Sequence, residues 1–475
     1  MGMTGASIGE TMKSARKIVA AAMAAAVCPA AIAGYGGGEL ADAILHGEVD
    51  RPGLVDYTAG ETATFTLSLQ GAKPFTNGLY SVKWTLRGDG LAPTNGVTPL
   101  ASEADTPTFS ARLDGPGFLH LSATVVDAAG NDVCRTFSGD ATTPEWRDAK
   151  ARFDRSDKRV CFSGGAGYEI GALANLPEPP DFDAFWARQA KRLEAVPVRA
   201  RTVEVPCPES AKVRIFAVEI DCAGIRPATG YLTVPKKCEA GERLPARLSL
   251  YGYEYARQAP PSPAAEDEDR IVFRLNAHGF RLPEFGADDA YYRALGWEIG
   301  MHGVGYAFNK AQNADPETAY FNGMVLRVKR ALQYLKTLPG WDGANLEAAG
   351  GSQGGLQSIW AAGCGEGVTK VSCGVPWCCD LGGETAGRMR GTWFVPWTPA
   401  LGYYDPVNFA RRVPSTCTVD INRAGLGDYI CPPSGIAALY NALPCPKSIV
   451  WVQGSTHADV PPEPHQEATL EEDAR

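Results

Sequence analysis

The chain has 475 residues, of which 45% are hydrophobic and 21% are charged, and its net charge is −9 with an isoelectric point near 5.4. This composition is sufficient for a hydrophobic core of ordinary size, and the length suggests two or three domains. The negative charge, with no basic stripe to contact phosphates, argues against nucleic acid as a partner.

The amino terminus has the three parts of a secretory signal peptide. Basic residues lie between positions 13 and 17, residues 18–27 are apolar, and residues 31–33 (Ala-Ile-Ala) form a cleavage site. The apolar segment is too short to span a membrane. We therefore expect residues 1–33 to be removed, and the mature chain to be secreted or periplasmic without membrane insertion.

Residues 34–162 have the pattern of an all-β domain. Three stretches alternate between polar and apolar residues, as strands with one buried face do. They are residues 62–69, 80–86 and 119–126. Short strands separated by glycine, proline, asparagine and aspartate are typical of an antiparallel sandwich, and we predict an Ig-like β-sandwich. A glycine- and proline-rich stretch then predicts a linker over residues 163–180 and a second domain over residues 181–475.

Ser352 lies in the motif Gly-Gly-Ser-Gln-Gly-Gly, after a short apolar stretch at residues 346–349. This is the G-x-S-x-G nucleophile elbow in its expected context, because a helix predicted for residues 324–338 comes before it and an apolar helical face follows it. The elbow forces the serine into a strained turn, and the glycines let the neighbouring strand and helix approach. The backbone N–H of Gln353 is then free to bind an oxyanion. A glycine-rich turn without a catalytic role is the alternative.

An aspartate and a histidine follow the serine, each at the end of a predicted strand. Asp428 is the candidate acid, with Asp380 and Asp405 as rivals, and His457 follows the buried strand predicted for residues 447–453. The chain order Ser, Asp, His is that of α/β-hydrolases. In such a triad the histidine takes the serine proton and returns it to the leaving group, while the aspartate fixes the histidine tautomer.

With these motifs the chain resembles the acetyl xylan esterase / cephalosporin C deacetylase family of α/β-hydrolases, over roughly residues 177–457. The resemblance rests on several segments taken together. They are residues 180–186, 251–253, 350–355, 404–408 and 425–434. The resemblance implies an α/β-hydrolase fold with a doubly wound, mostly parallel sheet. Two positions depart from the family, since Tyr251 replaces a histidine and Asn322 stands where an arginine is expected.

The resemblance also implies a role for each candidate residue. Ser352 is then the nucleophile, Asp428 the acid and His457 the base. The backbone N–H groups of Tyr253 and Gln353 are implied as the oxyanion hole. The family often assembles in rings, so a homo-oligomer stays open.

These features predict a secreted serine carbohydrate esterase that removes O-acetyl groups from xylan or acetylated oligosaccharides through an acetyl-enzyme. The residues by themselves indicate only that a triad catalyses acyl transfer. The acetylated substrate is what the resemblance implies. No cofactor and no metal are expected. The alternatives are a secreted serine peptidase or other acyl hydrolase on the same fold, and a non-catalytic carbohydrate-binding protein. Every candidate catalytic residue lies after the sandwich. We therefore expect the chain from about Leu176 to fold without the sandwich and to hydrolyse small acetyl esters.

Twelve of the 13 cysteines remain after the expected cleavage, which removes Cys28. They are enough for several disulfides in an oxidising compartment, although their spacing does not define a pairing. Cys207 and Cys222 flank a predicted strand at residues 213–220 and could face each other across a hairpin. Buried free thiols are the alternative for most of the cysteines. No C-x-x-C pair is present, so a zinc site is not predicted.

Overall fold

The structure is a computed structural model that describes residues 39–71, 75, 79–137, 146–255, 257–461 and 464–474. The signal peptide expected at residues 1–33 lies outside the described residues. Among the residues that the structure does describe, no helix combines the length and the apolar character that crossing a bilayer requires.

The amino-terminal domain consists of antiparallel sheets. Its elements are β1 (Glu39–Ala41), β2 (Ile44–Val49), β3 (Ala63–Gln70), β4 (Tyr80–Gly88), β5 (Leu91–Leu100), β6 (Thr108–Ala111), β7 (Gly117–Val126), β8 (Cys134–Thr136), helix α1 (Trp146–Arg155) and β9 (Cys161–Tyr168). One sheet has the strand order β2-β3-β6 and another β5-β4-β7-β9, while β1 and β8 form a short parallel pair. The three predicted strands are confirmed as β3, β4 and β7, and β3 alternates between buried and partly exposed residues along most of its length.

The boundary after this domain differs from the prediction. Residues 163–168, predicted as the start of a linker, belong to β9, which pairs antiparallel with β7. The glycines that suggested a linker instead allow other segments to approach the strand closely. A Cβ atom on Gly165 would lie 2.7 Å from the carbonyl oxygen of Leu119 and 3.0 Å from that of Leu426. The connecting segment therefore begins after Tyr168.

The second domain is built on one large, mostly parallel sheet. Its strands are β10 (Ala200–Val205), β11 (Val213–Ile220), β12 (Ala228–Pro235), β13 (Leu244–Leu250), β14 (Ile271–Asn276), β15 (Trp341–Gly351), β16 (Lys370–Gly374), β17 (Thr418–Gly425), β18 (Lys447–Val452) and β19 (Glu467–Glu472). Their order is β10-β11-β12-β14-β13-β15-β16-β17-β18-β19, and pairing is parallel from β14 to β18. The predicted α/β class with a mostly parallel sheet is confirmed.

Helices accompany this sheet. They are α2 (Phe182–Glu194), α3 (Asp289–Ile299), α4 (Tyr320–Leu335), α5 (Gln353–Gly363), α6 (Pro406–Ala410) and α7 (Pro433–Ala442). Helix α4 is the one predicted for residues 324–338, although it begins and ends a few residues earlier. Helix α6 begins where the Asp405 side chain accepts from the N–H of Val407, with Pro406 in the first turn. Because parallel strands end at the same edge, the loops after β13, β15, β17 and β18 meet there.

The two domains share a packed interface that the sequence did not indicate. Phe118 of β7 packs against Trp451 of β18 with ring centroids 5.3 Å apart, and both side chains are fully buried. The Gln453 side chain accepts from the N–H of Gly165 and donates to its carbonyl, both at 2.9 Å. These contacts argue against the expectation that the second domain folds unaided.

A chain that begins at Leu176 should therefore be destabilised relative to the intact protein. Removal of Phe118 with the rest of the amino-terminal domain exposes the Trp451 ring, which costs roughly 2 kcal/mol of the free energy of unfolding. Urea unfolding of the full chain and of the shortened chain measures this difference. Equal unfolding midpoints would contradict the expectation, and soluble expression of the amino-terminal domain alone is the companion control.

The structure does not bring Cys207 and Cys222 together, a contact that their spacing had left open. Strands β10 and β11 do form a hairpin, with Val205 opposite Ile215. Cys207 lies just beyond this end of the hairpin, whereas Cys222 follows Ile220 at the other end. Both side chains are free thiols. The alternative of free thiols therefore holds for this pair.

Candidate active site

Ser352 lies in the turn between β15 and α5, at the edge where the parallel strands end. Its backbone has φ 57° and ψ −120°, a conformation that costs energy for any residue with a Cβ atom. Backbone hydrogen bonds hold the turn: the Ser352 N–H donates to the Gly374 carbonyl at 2.9 Å, and the Ser352 carbonyl accepts from the N–H groups of Leu356 and Trp377, both at 3.0 Å. The geometry is that of the predicted elbow, and the role of the serine as nucleophile stays a prediction.

Glycine is required on both sides of Ser352, because backbone atoms occupy the space of a side chain. A Cβ atom on Gly350 would lie 2.4 Å from the Leu250 carbonyl oxygen, and one on Gly354 would lie 2.2 Å from the same atom. Leu250 is the last residue of β13, so these glycines let β13 approach both the strand and the helix of the elbow. This is the steric function that the motif predicted.

Replacement of Gly354 by alanine should displace the elbow. The added methyl group meets a backbone oxygen that cannot move away cheaply, so we expect a loss of about 1–3 kcal/mol of unfolding free energy. The expected hydrolysis of acetyl esters should slow as well, because Ser352 moves with the helix. Gly171→Ala is the control, since a Cβ atom there meets nothing within 4 Å. A Gly354→Ala variant as stable and as active as the Gly171→Ala variant would contradict this prediction.

Asp428 and His457 follow the adjacent parallel strands β17 and β18. His457 Nδ1 lies 2.9 Å from Asp428 Oδ2, and Asp428 Oδ1 accepts from the N–H groups of Ile430 at 2.9 Å and Cys431 at 3.0 Å. The Asp428 side chain is fully buried, whereas the His457 side chain is 20% exposed. An ionised carboxylate only accepts, so His457 donates from Nδ1 and keeps Nε2 as its basic atom. The structure thus brings the predicted acid and base together.

The rival aspartates are engaged in other contacts. Asp380 is paired with Arg388 at 2.5 Å, and Asp405 accepts from the N–H groups of Val407 at 3.0 Å and Leu381 at 2.9 Å. Burial raises the pKa of Asp380 to about 6, despite the arginine, and burial raises the pKa of Asp405 to about 7. These carboxyl groups hold loops and a helix cap, and the histidine bonds to Asp428 instead.

The predicted oxyanion-hole residues lie on adjacent elements, since Tyr253 follows β13 and Gln353 opens α5. An N–H group in the first turn of a helix has no acceptor within that helix, and the helix dipole favours negative charge there. The Gln353 side chain ties the two elements together. Its Oε1 accepts from the Tyr306 hydroxyl, and its Nε2 donates to the Gly252 carbonyl at 3.4 Å. Tyr306 was not predicted at the site.

Aromatic rings surround Tyr253 and form what we call the aromatic wall: Tyr253, Tyr306, Phe308, Trp377 and Trp393. The Tyr253 ring stacks on Tyr306 at 4.2 Å and meets the edges of Trp377 at 5.5 Å and Trp393 at 4.9 Å. Phe308 packs against both tryptophans at 6.0 Å. The wall adjoins the elbow, because Trp377 bonds to the Ser352 backbone. The sequence contained no signal for it, since its members share no periodic pattern.

Cys431 is a further neighbour that was not predicted. The Cys431 sulfur, one carboxylate oxygen of Asp428 and one ring nitrogen of His457 all lie within 4.8 Å of one another. Three such ligands could hold a metal ion. Burial raises the pKa of the Cys431 thiol well above its usual value. The hydrogen bond between His457 and Asp428 is the contact that a triad requires between its base and its acid.

A cavity of about 680 Å³ lies beside the acid and the base, between the two domains. It is lined by Asp428 and His457 from the second domain and by His120 and Ser163 from the amino-terminal domain, among others. The amino-terminal domain therefore forms part of the surroundings of the triad candidates. The sequence motifs had placed every candidate catalytic residue in the second domain.

A protein-family model described as acetyl xylan esterase (AXE1) matches residues 173–385 and 397–471, together more than half of the chain. The chain belongs to the acetyl xylan esterase family. The match contains Ser352, Asp428 and His457, and it leaves out the amino-terminal domain. The family that the sequence motifs suggested is thereby confirmed.

Individual acetyl esterases are also similar to the chain. The acetyl esterase Axe7A of Xylanibacter ruminicola is 30% identical over 280 residues, which cover 57% of this chain and 61% of that protein. The chain thus spans less than two thirds of the length of this relative. The chain is also similar to two solved structures of acetyl xylan esterases. The one from Paenibacillus sp. R4 has 22% identity and a TM-score of 0.49, and the one from Thermoanaerobacterium sp. has 20% identity and a TM-score of 0.46. Each match covers 62% of this chain, and 94% and 93% of the respective structures.

Proposed function

We propose that this chain is a serine carbohydrate esterase that removes O-acetyl groups from xylan or acetylated oligosaccharides. Two observations carry the proposal: Ser352 lies in a strained elbow after β15, and His457 is hydrogen-bonded to the buried Asp428 after the neighbouring strands β17 and β18. Membership of the acetyl xylan esterase family supports acetate as the acyl group and a carbohydrate as the alcohol.

The proposed reaction has two halves. Ser352 Oγ attacks the acetyl carbonyl carbon while His457 Nε2 takes its proton, and the N–H groups of Tyr253 and Gln353 stabilise the oxyanion. His457 then protonates the sugar oxygen, the sugar leaves, and an acetyl-enzyme remains. Water attacks the acetyl group with His457 again as base, and acetate is released. Asp428 holds the histidine in the required tautomer and stabilises its charged form.

The surroundings of Ser352 support a small acyl group. The rings of Tyr253, Trp377 and Trp393 pack against one another beside the elbow. Trp377 is buried behind Tyr253 and Trp393, whose partly exposed rings present a rigid apolar surface. Such a surface suits the methyl group of acetate.

The test is acetate release from acetylated xylan, acetylated xylo-oligosaccharides and an aryl acetate, with a peptide anilide as the comparison. We expect hydrolysis of the acetyl esters and none of the anilide. Cleavage of the anilide alone would favour the peptidase alternative. Absence of hydrolysis, together with no labelling of Ser352 by a fluorophosphonate, would favour a non-catalytic carbohydrate-binding protein.

We also propose that the chain is exported, with residues 1–33 as its signal peptide. The support is the basic, apolar and Ala-x-Ala sequence pattern at the amino terminus. Expression in a bacterium with a periplasm, followed by amino-terminal sequencing of the exported protein, tests this proposal. A mature chain that begins at Gly34 is the expected result. A protein that stays in the cytoplasm with residues 1–33 still attached would contradict the proposal.

We further propose that the amino-terminal domain is Ig-like. The support is its division into two antiparallel sheets with the strand orders β2-β3-β6 and β5-β4-β7-β9. Ig-like sandwiches divide their strands in this way, with the second and fifth strands in one sheet and the third and sixth in the other. An experimental structure of the full chain tests the strand order.

A further inference from the structure

Three polar side chains of the amino-terminal domain form a row that leads to the candidate acid. Arg87 on β4 and His120 on β7 are directly opposite in the strand register, and Ser163 lies on β9 next to them. Arg87 Nε lies 3.0 Å from His120 Nδ1, and His120 Nε2 lies 2.8 Å from Ser163 Oγ. Ser163 Oγ lies 3.1 Å from the Gly427 carbonyl oxygen. The row therefore ends on the peptide that joins Gly427 to Asp428.

The direction of these hydrogen bonds follows from Arg87. A guanidinium only donates, so His120 Nδ1 accepts and the ring proton lies on Nε2. His120 then donates to Ser163 Oγ, and the Ser163 hydroxyl donates to Gly427. Burial lowers the pKa of His120 well below its usual value, so the ring is neutral, as this direction requires. His120 and Ser163 thus each have a defined partner on both sides.

The residues on both sides of Asp428 are held by the amino-terminal domain. On one side, a Cβ atom on Gly427 would lie 2.0 Å from the Ser163 carbonyl oxygen, which shows how closely this loop approaches β9. On the other side, the Tyr429 ring lies 4.1 Å from the His120 ring and 4.5 Å below the Arg87 guanidinium. A buried, hydrogen-bonded and stacked loop has little freedom to reorient its carboxylate.

The loop that carries the base is anchored on the same strand. Gln453, between β18 and His457, exchanges two hydrogen bonds of 2.9 Å with the backbone of Gly165. Gly165 is two residues from Ser163, so both anchor points lie on the same short segment of β9. Strand β9 therefore holds the loops of the acid and the base in a common frame.

We propose that Arg87, His120 and Ser163 are positioning residues that set the orientation of Asp428, and through it that of His457, for catalysis. The inference rests on the proposed esterase function, because it concerns the acid of that triad. All three residues lie before residue 173, where the match to the acetyl xylan esterase family begins. The positioning device thus belongs to the domain that the family match leaves out.

The first test is Ser163→Ala in the full-length chain, which removes the hydroxyl that donates to Gly427. We expect kcat for an aryl acetate to fall about tenfold with KM changed less than about twofold, since the triad is disturbed and the acyl site is not. His120→Phe keeps a ring against Tyr429 but loses both hydrogen bonds, and it should act like Ser163→Ala. His120→Gln can still accept from Arg87 and donate to Ser163, so it should recover most of the activity.

Ser122→Ala is the matched control, because Ser122 is an exposed serine on β7, two residues from His120 and on the same face. It should keep the wild-type kcat. Circular dichroism and thermal unfolding establish that each variant is folded. A kcat for both Ser163→Ala and His120→Phe within twofold of the Ser122→Ala value would overturn the inference, and so would a His120→Gln variant as damaged as His120→Phe.

The rate at which a fluorophosphonate labels Ser352 separates this inference from the proposed function, because labelling needs the triad but no acetylated substrate. We expect rapid labelling of the wild type and of Ser122→Ala, and slower labelling of Ser163→Ala and His120→Phe. Equal rates for all four proteins would overturn the inference and leave the esterase proposal standing. A wild-type chain that is not labelled would overturn both.

Discussion

Replacement of Ser352 by alanine should lower kcat for acetyl ester hydrolysis by about 10⁴- to 10⁶-fold and leave the fold intact. The loss follows from the role of the hydroxyl as the attacking group. The fold should persist because the elbow is held by backbone hydrogen bonds to Gly374 and Trp377, which do not involve the side chain. Alanine also meets the positive φ with the same Cβ atom as serine, so it adds no new strain.

The measurement is acetate release by the variant, with circular dichroism to record its fold. Ser358→Ala is a suitable control, since Ser358 lies on the same helix and its hydroxyl donates to the Gly354 carbonyl within that helix. The control should keep most of the activity. More than about a tenth of wild-type activity in Ser352→Ala would show that another residue carries the chemistry.

Replacement of Asp428 by asparagine should lower turnover by about 10⁴-fold near neutral pH while substrate still binds. The N–H groups of Ile430 and Cys431 both point at Oδ1, so an asparagine there directs its oxygen to them and its amide nitrogen to His457. An amide N–H donates, and His457 Nδ1 must then accept. The ring proton moves to Nε2, which can no longer take the proton of Ser352.

Asp405→Asn and Asp380→Asn are the comparison variants for this prediction. Both carboxyl groups are buried, and both make structural hydrogen bonds or ion pairs, so their loss affects stability first. We expect far smaller effects on kcat than for Asp428→Asn, measured on folded protein at a temperature below the unfolding transition. If Asp380→Asn is instead the variant that abolishes turnover, the assignment of the acid is wrong.

The sequence by itself determined the features that depend on residues close together in the chain. Alternation of polar and apolar residues identified β3, β4 and β7, and the structure shows one buried face for β3 but burial on both faces over most of β7. The glycines around Ser352 identified the elbow, because the strand, the turn and the helix are consecutive. The order Ser, Asp, His then limited the acid and the base to a few candidates.

Only the tertiary structure decided between those candidates and joined the two domains. Asp428 is distinguished from Asp380 and Asp405 by the parallel pairing of β17 with β18, which brings its carboxylate to His457. The aromatic wall and the row of Arg87, His120 and Ser163 combine residues that are far apart in the chain, and the glycines of β9 look like a linker until the loops packed on them are seen. The physical reason is that local patterns record which residues are buried, whereas the packing of distant surfaces decides what each one is buried against.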